Sequence, residues 1–489
     1  MDASFPQHPQ GFCSRRHFLK AGSSFGLGTT ALAWLLQQDG LLAAPARPEL
    51  EQRSYDLRPK PCHHPAQAQA MISILMIGGP SQMDLFDPKP KLQEWAGRPF
   101  PGELKFDNAG QASSKVMPGL WEFQRQGQCG TELSSLLPHL AGVVDDICLI
   151  RSMQTGVNNH GQSLYALTNG RITAGAPTLG SWLSYGLGNA SQELPAFLTL
   201  THPSGLPLLA EANWSNGWLP SIYQGTVVRP TEPRLLNLDP APHLRGLPQQ
   251  QQLELLREVN QRHRQEHPGE NDLDARIASY ELAARMQTAA KEAMDIRSES
   301  SATRRLYGVD NERTRDYGTR CLIARRLVER GVRFVQIVNN GQSWDHHSNL
   351  YTALPDLCAR TDQPVAALVQ DLKARGLLDS TLVHWGGEMG RLPVIQNDGP
   401  KEKVGRDHNT YGFTHWLAGG GVLGGITYGE TDEWGHHAVK DIVSHHDLHA
   451  TILHLFGIDH TRLVYRRAGR ELSLTDGKPA RVVRDILKV

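Results

Sequence analysis

Short apolar runs closed by glycine or a polar turn constrain this chain most. Met71-Ile72-Ser73-Ile74-Leu75-Met76-Ile77 stops at Gly78-Gly79-Pro80, and runs of the same kind recur at 144–151 (VDDICLIR), 332–338 (VRFVQIV) and 381–385 (TLVHW). A strand with one wet face alternates apolar and polar residues, whereas continuous runs require cover on both faces, as in a parallel sheet. Between the runs lie helical patterns. Arg320 to Gly331 (RCLIARRLVERG) reads as an amphipathic helix stopped by a glycine and feeding directly into the next strand. Such helix-to-strand units predict an α/β fold with a mostly parallel central sheet and helices on both faces.

The 489 residues leave room for a large core, and their 50 basic and 50 acidic side chains cancel, so no net field draws the chain to nucleic acid or an anionic membrane. One main domain is expected over 71–489. Residues 249–299, polar and rich in Gln, Glu, Arg and Ala, read as a helical insertion outside the sheet. The aperiodic, Pro- and Gln-rich stretch 47–70 reads as a linker. Six scattered cysteines show no metal-finger spacing, and with Cys13 in the leader at least one of the remaining five stays unpaired within a monomer.

The N-terminus speaks to location. Ser14-Arg15-Arg16-His17-Phe18-Leu19-Lys20 resembles a twin-arginine export motif, Ala21 to Leu36 is a weakly apolar run, and Ala44-Pro45-Ala46 supplies a small-residue cleavage site. Residues 1–46 are therefore expected to be a signal peptide, the twin-arginine translocation machinery a partner, and the periplasm or cell surface the destination. No later run is long enough for a transmembrane helix.

In open parallel sheets, ligands bind beyond the carboxyl ends of the strands. Polar clusters stand at those places: Gly79 to Lys89 with Asp84, Asn158 to Ser163 with His160, Ser343-Trp344-Asp345-His346-His347, Gly386 to Arg391 with Glu388, and Gly405-Arg406-Asp407-His408. Taken singly, each is the kind of residue that hydrogen-bonds a loop. Together they offer carboxylates and imidazoles without thiolate, a donor set for a divalent ion, with zinc, manganese and calcium all left open. Asp345, His347 and His408 are expected on one ion, with Asp84, His160 and Glu388 forming or completing a neighbouring site. Arg151, Arg391 and Arg406 lie near strand ends, where an anionic group could meet them.

Several stretches, in order, resemble the alkaline phosphatase and sulfatase superfamily: the opening strand with its polar turn, Leu136 to Met153, the strand ending Val383-His384-Trp385-Gly386-Gly387-Glu388-Met389-Gly390, and the late segment Val443 to Ile458. More narrowly, GGPSQMDLFDPKP, SWDHH, GEMGRLP and GRDHNTYGFTHWLAGGGVLGG, with the twin-arginine leader, are similar to an uncharacterised exported family commonly labelled sulfatase-like. The resemblance implies an alkaline phosphatase-like fold and metal-dependent hydrolysis of an anionic phosphate or sulfate ester, one borne on a glycan among them. It departs from the superfamily at the chemistry. No Cys-x-Pro-x-Arg motif exists, His160 stands at the nucleophile's place with Ser163 nearby as a substitute, Gly78 and Gly79 replace the first-strand aspartate, and Glu388-Met389 replaces the late Asp-His pair. His160 can then serve as covalent nucleophile, base or ligand. The alternative is a non-catalytic exported protein that keeps the fold to bind a glycan or a protein.

Overall fold

The computed structural model describes residues 55–106, 111, 113–267 and 271–488. The signal peptide and cleavage site expected over 1–46 lie outside these residues. Nine strands make the central sheet: β1 (Ala70–Leu75), β2 (Ile147–Gln154), β3 (Phe197–Leu200), β4 (Thr226–Val228), β5 (Phe334–Val338), β6 (Thr381–Gly386), β7 (Phe413–Ala418), β8 (Ile426–Tyr428) and β9 (Val443–Ser444). Their order is β8-β2-β7-β6-β1-β5-β3-β4, with β9 also paired to β2. All neighbours are parallel except β7, which runs antiparallel to both β2 and β6. β1 lies at the centre, with Ile72 opposite Val335 on one side and Val383 on the other.

Every residue of β1, β5, β6 and β7 is buried, as the continuous apolar runs require. One boundary moves. Val144-Asp145-Asp146, read as the start of a strand, belongs to a 3₁₀ helix over Leu140–Asp146, and β2 begins only at Ile147. The helices needed below are α1 (His160–Asn169), α2 (Leu179–Leu187), α3 (Leu247–Glu266), α4 (Asn271–Met294), α5 (Arg315–Glu329), α6 (Leu350–Ala374) and α7 (His445–Leu455).

The stretch 249–299 holds most of the helices α3 and α4. None of the residues of α3 is buried, while α4 buries Ala275, Leu282, Met286, Ala290 and Ala293. A buried ionic knot fastens this pair to the core: Arg326 Nε donates to Ala293 O at 2.8 Å, and Arg325 lies 2.8 Å from Glu299 and 2.9 Å from Asp371. Residues 55–69, expected as linker, are instead part of the fold. Tyr55 and Leu57 are buried, His63 N donates to Gly457 O, and Gln67 N and Ala68 N donate to Leu455 O. An aperiodic segment can satisfy its backbone one loop contact at a time, which leaves no periodicity to read.

The five cysteines among the described residues are free, Cys62 and Cys129 exposed and Cys148, Cys321 and Cys358 buried. No helix among those residues is long and apolar enough to cross a membrane.

Candidate metal centre

The sheet delivers its polar residues to one end. β1 runs into Gly78-Gly79, β2 into Asn158-Asn159-His160, β5 into Trp344-Asp345-His346-His347, and β6 into Glu388 and Arg391. His408 arrives from the other direction. Because β7 is reversed, the residues preceding it lie at this end of the sheet, and His408-Asn409 pairs antiparallel with Gly390-Arg391. The turn at Gly78 (φ 116°) is crowded: a Cβ there would lie 2.4 Å from Asp345 N. Glycine is what lets the β1 turn and the Asp345 loop touch.

His160, Asp345, His347 and His408 each direct one ligand atom into a group whose members all lie within 4.8 Å of one another. Asp345 is the hub. Its Oδ2 is 3.2 Å from His160 Nε2, and its Oδ1 is 3.0 Å from His347 Nε2 and 3.4 Å from His408 Nε2. The far nitrogen of each ring has a partner of its own. His160 Nδ1 donates to Glu388 Oε1 at 2.6 Å, His408 Nδ1 donates to the Asn158 carbonyl at 3.0 Å, and His347 Nδ1 donates to Gln396 Oε1. The outer partners and Asp345 are all acceptors, so each ring meets an acceptor at both nitrogens; a cation seated on the Asp345 side would take Nε2 and leave the proton on Nδ1.

Positive charge, a ring proton or an ion, must therefore lie between the Nε2 atoms and Asp345. Burial raises what it costs to leave that place unfilled, since the side chain of His408 is 1% exposed and that of His160 10%. His160 Nε2 is buried and makes no aligned hydrogen bond despite its nearness to Asp345. Outer hydrogen bonds that fix the tautomer, with inner nitrogens left to converge on one point, are how proteins hold metal-ligating histidines. Three imidazoles and a carboxylate therefore fit a divalent ion with nitrogen preference.

The titration behaviour reflects the same crowding. Burial opposes charge on His160, but contacts with Asp345 and Glu388 outweigh it and raise the ring to about 9. Burial also opposes charge on Asp345, yet His160, His347, His408 and Arg391 together hold its carboxyl far below the usual carboxylate range. Burial lowers His408 below the ordinary imidazole value.

The remaining expected residues have other partners. Asp84 is fully buried away from the four donors, bound by Arg406 Nε at 3.0 Å and Ser81 Oγ at 2.6 Å. Glu388 touches the cluster only through His160, and its carboxylate also accepts from Gly78 N at 2.9 and 3.2 Å. Ser163 is fully buried, and its hydroxyl donates to the carbonyl of Val157 in the loop before α1, so it does not face the centre as a nucleophile. Arg391 and Arg406 are buried and occupied by backbone carbonyls and carboxylates, which removes them as holders of a free anion. Arg151 lies 3.7 Å from Asp87. Of the adjacent His346 and His347 only the second joins the group, while His346 is buried with both ring nitrogens unpartnered. Sequence reasoning missed Gln396 and the Asn158 carbonyl, because neither residue type nor spacing marks an outer partner.

Residues 68–487 match the family described as "Protein of unknown function (DUF1501)", and the chain belongs to that family. No curated protein matches it. Among solved structures it is similar to the lipoteichoic acid synthase LtaP from Listeria monocytogenes, at 9% identity over 86% of this chain and 78% of that one, with a TM-score of 0.35. It is also similar to the PsFucS1 sulfatase from Pseudoalteromonas sp., at 12% identity over 80% and 68% of the two chains, with a TM-score of 0.32. A third is the alkaline phosphatase from the Antarctic bacterium TAB5, at 11% identity over 74% and 95%, with a TM-score of 0.31.

Proposed function

We propose that this chain is an exported metal-dependent hydrolase of phosphate or sulfate esters, with glycan-borne esters among its substrates. The observation that carries the reading is the convergence on Asp345 of three imidazole Nε2 atoms whose Nδ1 atoms each meet an outer acceptor. His160, Asp345, His347 and His408 would hold the ion, and the nitrogen-rich set favours zinc or manganese over calcium, which prefers oxygen. When bound, such an ion supplies Lewis-acid polarisation of an ester oxygen and lowers the pKa of water.

The chain's own groups do the rest. Glu388, Gln396 and the Asn158 carbonyl keep the rings aimed. The side chain of His347, 30% exposed, marks the face open to solvent and substrate. His160 is the first residue of α1, so the positive end of that helix lies at the site and favours an anionic group. Both nitrogens of His160 are engaged, one by Glu388 and one at the centre, which favours a ligand role over a covalent one.

Export rests on Arg15-Arg16, the apolar run and the Ala44-Pro45-Ala46 site, with the twin-arginine translocation machinery as partner and the periplasm or cell surface as location. The test is turnover of aryl phosphate and aryl sulfate esters by protein loaded with zinc or manganese, before and after chelation and in His408→Ala. Chelator-sensitive turnover lost in the variant is expected. Turnover unchanged by chelation would overturn the proposal. Ion binding without turnover of any ester would favour a second reading, a non-catalytic binding protein. The burial of Ser163 and the engagement of His160, which leave no evident side-chain nucleophile, are what recommend it.

A further inference from the structure

We infer that the centre takes one divalent ion per chain and that the Arg391 guanidinium is the built-in cation beside it. The inference rests on the proposal that the four donors form a metal site, and it concerns how many ions that site can hold.

A second ion needs its own oxygen or nitrogen donors beside the first. The turn carbonyls and the carboxylates there each hold a fixed donor group, and the buried, unpartnered His346 adds a single imidazole. Arg391, with a side chain that is fully buried, places Nη2 at 2.6 Å from Asp345 Oδ1, on the same carboxylate that gathers the imidazoles. The same guanidinium takes the carbonyl oxygens of the β1 turn: Nε donates to Gly79 O at 2.8 Å, and Nη2 also donates to Gly78 O. Nη1 donates to Arg406 O at 3.1 Å. Those carbonyls would otherwise be ligands for a hard cation.

The carboxylates are bound in the same way. Glu388 takes His160 Nδ1 and the Gly78 amide, Asp84 takes Arg406 and Ser81, and Asp407 Oδ1 accepts from His408 N at 2.8 Å and lies 3.7 Å from His347 Nδ1. No carboxylate can be added at the turn itself, since even a methyl group at Gly78 meets Asp345 N. Electrostatics add to the exclusion. A second divalent charge placed next to the buried guanidinium is repelled by a positive group that its carbonyl contacts hold in place. Arg391 therefore does for Asp345 what a second ion would do, permanently and without exchange.

The chemical consequence is that attacking and leaving oxygens cannot each be held by their own ion. The experiment is metal content per folded chain after loading with excess zinc or manganese and desalting, with calorimetric titration and the electron paramagnetic resonance spectrum of the manganese form. One equivalent and the spectrum of an isolated ion are expected. Two equivalents, or the spectrum of an exchange-coupled pair, would overturn the inference while leaving the proposed function intact. No tight binding at all would overturn the reading of the four donors and the inference with it. Asp84→Asn should leave the one equivalent and its affinity unchanged within about threefold, and loss of an ion from it would count against the inference. Should that variant not fold, the stoichiometry of the unaltered chain still decides.

Discussion

Replacing Glu388 with glutamine isolates the outer hydrogen bond on which the geometry of His160 depends. The carboxylate accepts from His160 Nδ1 at 2.6 Å and from Gly78 N at 2.9 and 3.2 Å, and it is almost wholly buried. A glutamine keeps the shape but turns one acceptor into a donor. Oε1 takes both His160 Nδ1 and the Gly78 amide, while Oε2 takes only the Gly78 amide at 3.2 Å, so an NH₂ in either place faces a donor. Where it displaces Oε1, His160 loses its outer acceptor and its proton is held at Nε2, where it competes with an ion. A hydrogen bond to a charged group is worth about 1.5–3 kcal/mol. Mutation of such outer partners costs roughly 10- to 100-fold in metal affinity, or about 1.4–2.8 kcal/mol. The assay is competition for zinc against a chromophoric chelator, with circular dichroism to confirm that the variant is folded. An affinity weakened by about 10- to 100-fold is expected. A folded Glu388→Gln protein that binds zinc within about threefold of the unaltered chain would refute the claim that this contact aims the ring.

Other predictions concern stability and export. Burial lowers His415 and His449 to about 4, below the 6.5 of an unperturbed imidazole, so the unfolded chain takes up these protons first as pH falls. Their contribution is complete above about pH 6.5 and is lost on the way to 4, by up to roughly 3 kcal/mol each; a Tm that stays flat from pH 7 to 4 would contradict this. Gly78→Ala places a methyl 2.4 Å from Asp345 N at a φ of 116° and should cost at least about 1–3 kcal/mol, read as a lowered Tm and weaker ion binding; an unchanged Tm would show the turn to be looser than described. Converting Arg15 and Arg16 to lysine should retain the uncleaved chain in the cytoplasm, and normal export of that variant would remove the twin-arginine assignment.

The strands were legible because burial on both faces leaves a continuous apolar run: β5 falls within the run at 332–338, and β1 and β6 overrun those at 71–77 and 381–385 by one residue each. The candidate donors were legible for a related reason: a parallel sheet gathers its strand ends, so searching there found His160, Asp345 and His347. His408 was found by the same search although it precedes its strand, and only the reversal of β7 brings it to that end. What could not be read is partner choice. Asp84 and Arg406 are far apart in sequence, and nothing local says that they neutralise each other rather than serve a ligand. Glu388, expected as a ligand of a neighbouring site, instead stands behind His160, a position that depends on which way two loops face. The anchoring of 55–69 escaped notice because isolated backbone hydrogen bonds leave no pattern.

The threading of the sheet sets when the proposed ion could enter. Central β1 pairs with β5 and β6, both from the distant second half of the chain, and His408 depends on β7 lying between β2 and β6. The four donors cannot meet until strands from both halves have paired, so a chain interrupted before residue 408, or one whose halves have collapsed separately, offers only fragments of the site. On the proposed reading, ion retention works as an inspection of the fold up to β7: a chain that keeps its ion through a chelating wash is one in which β7 has been laid between β2 and β6.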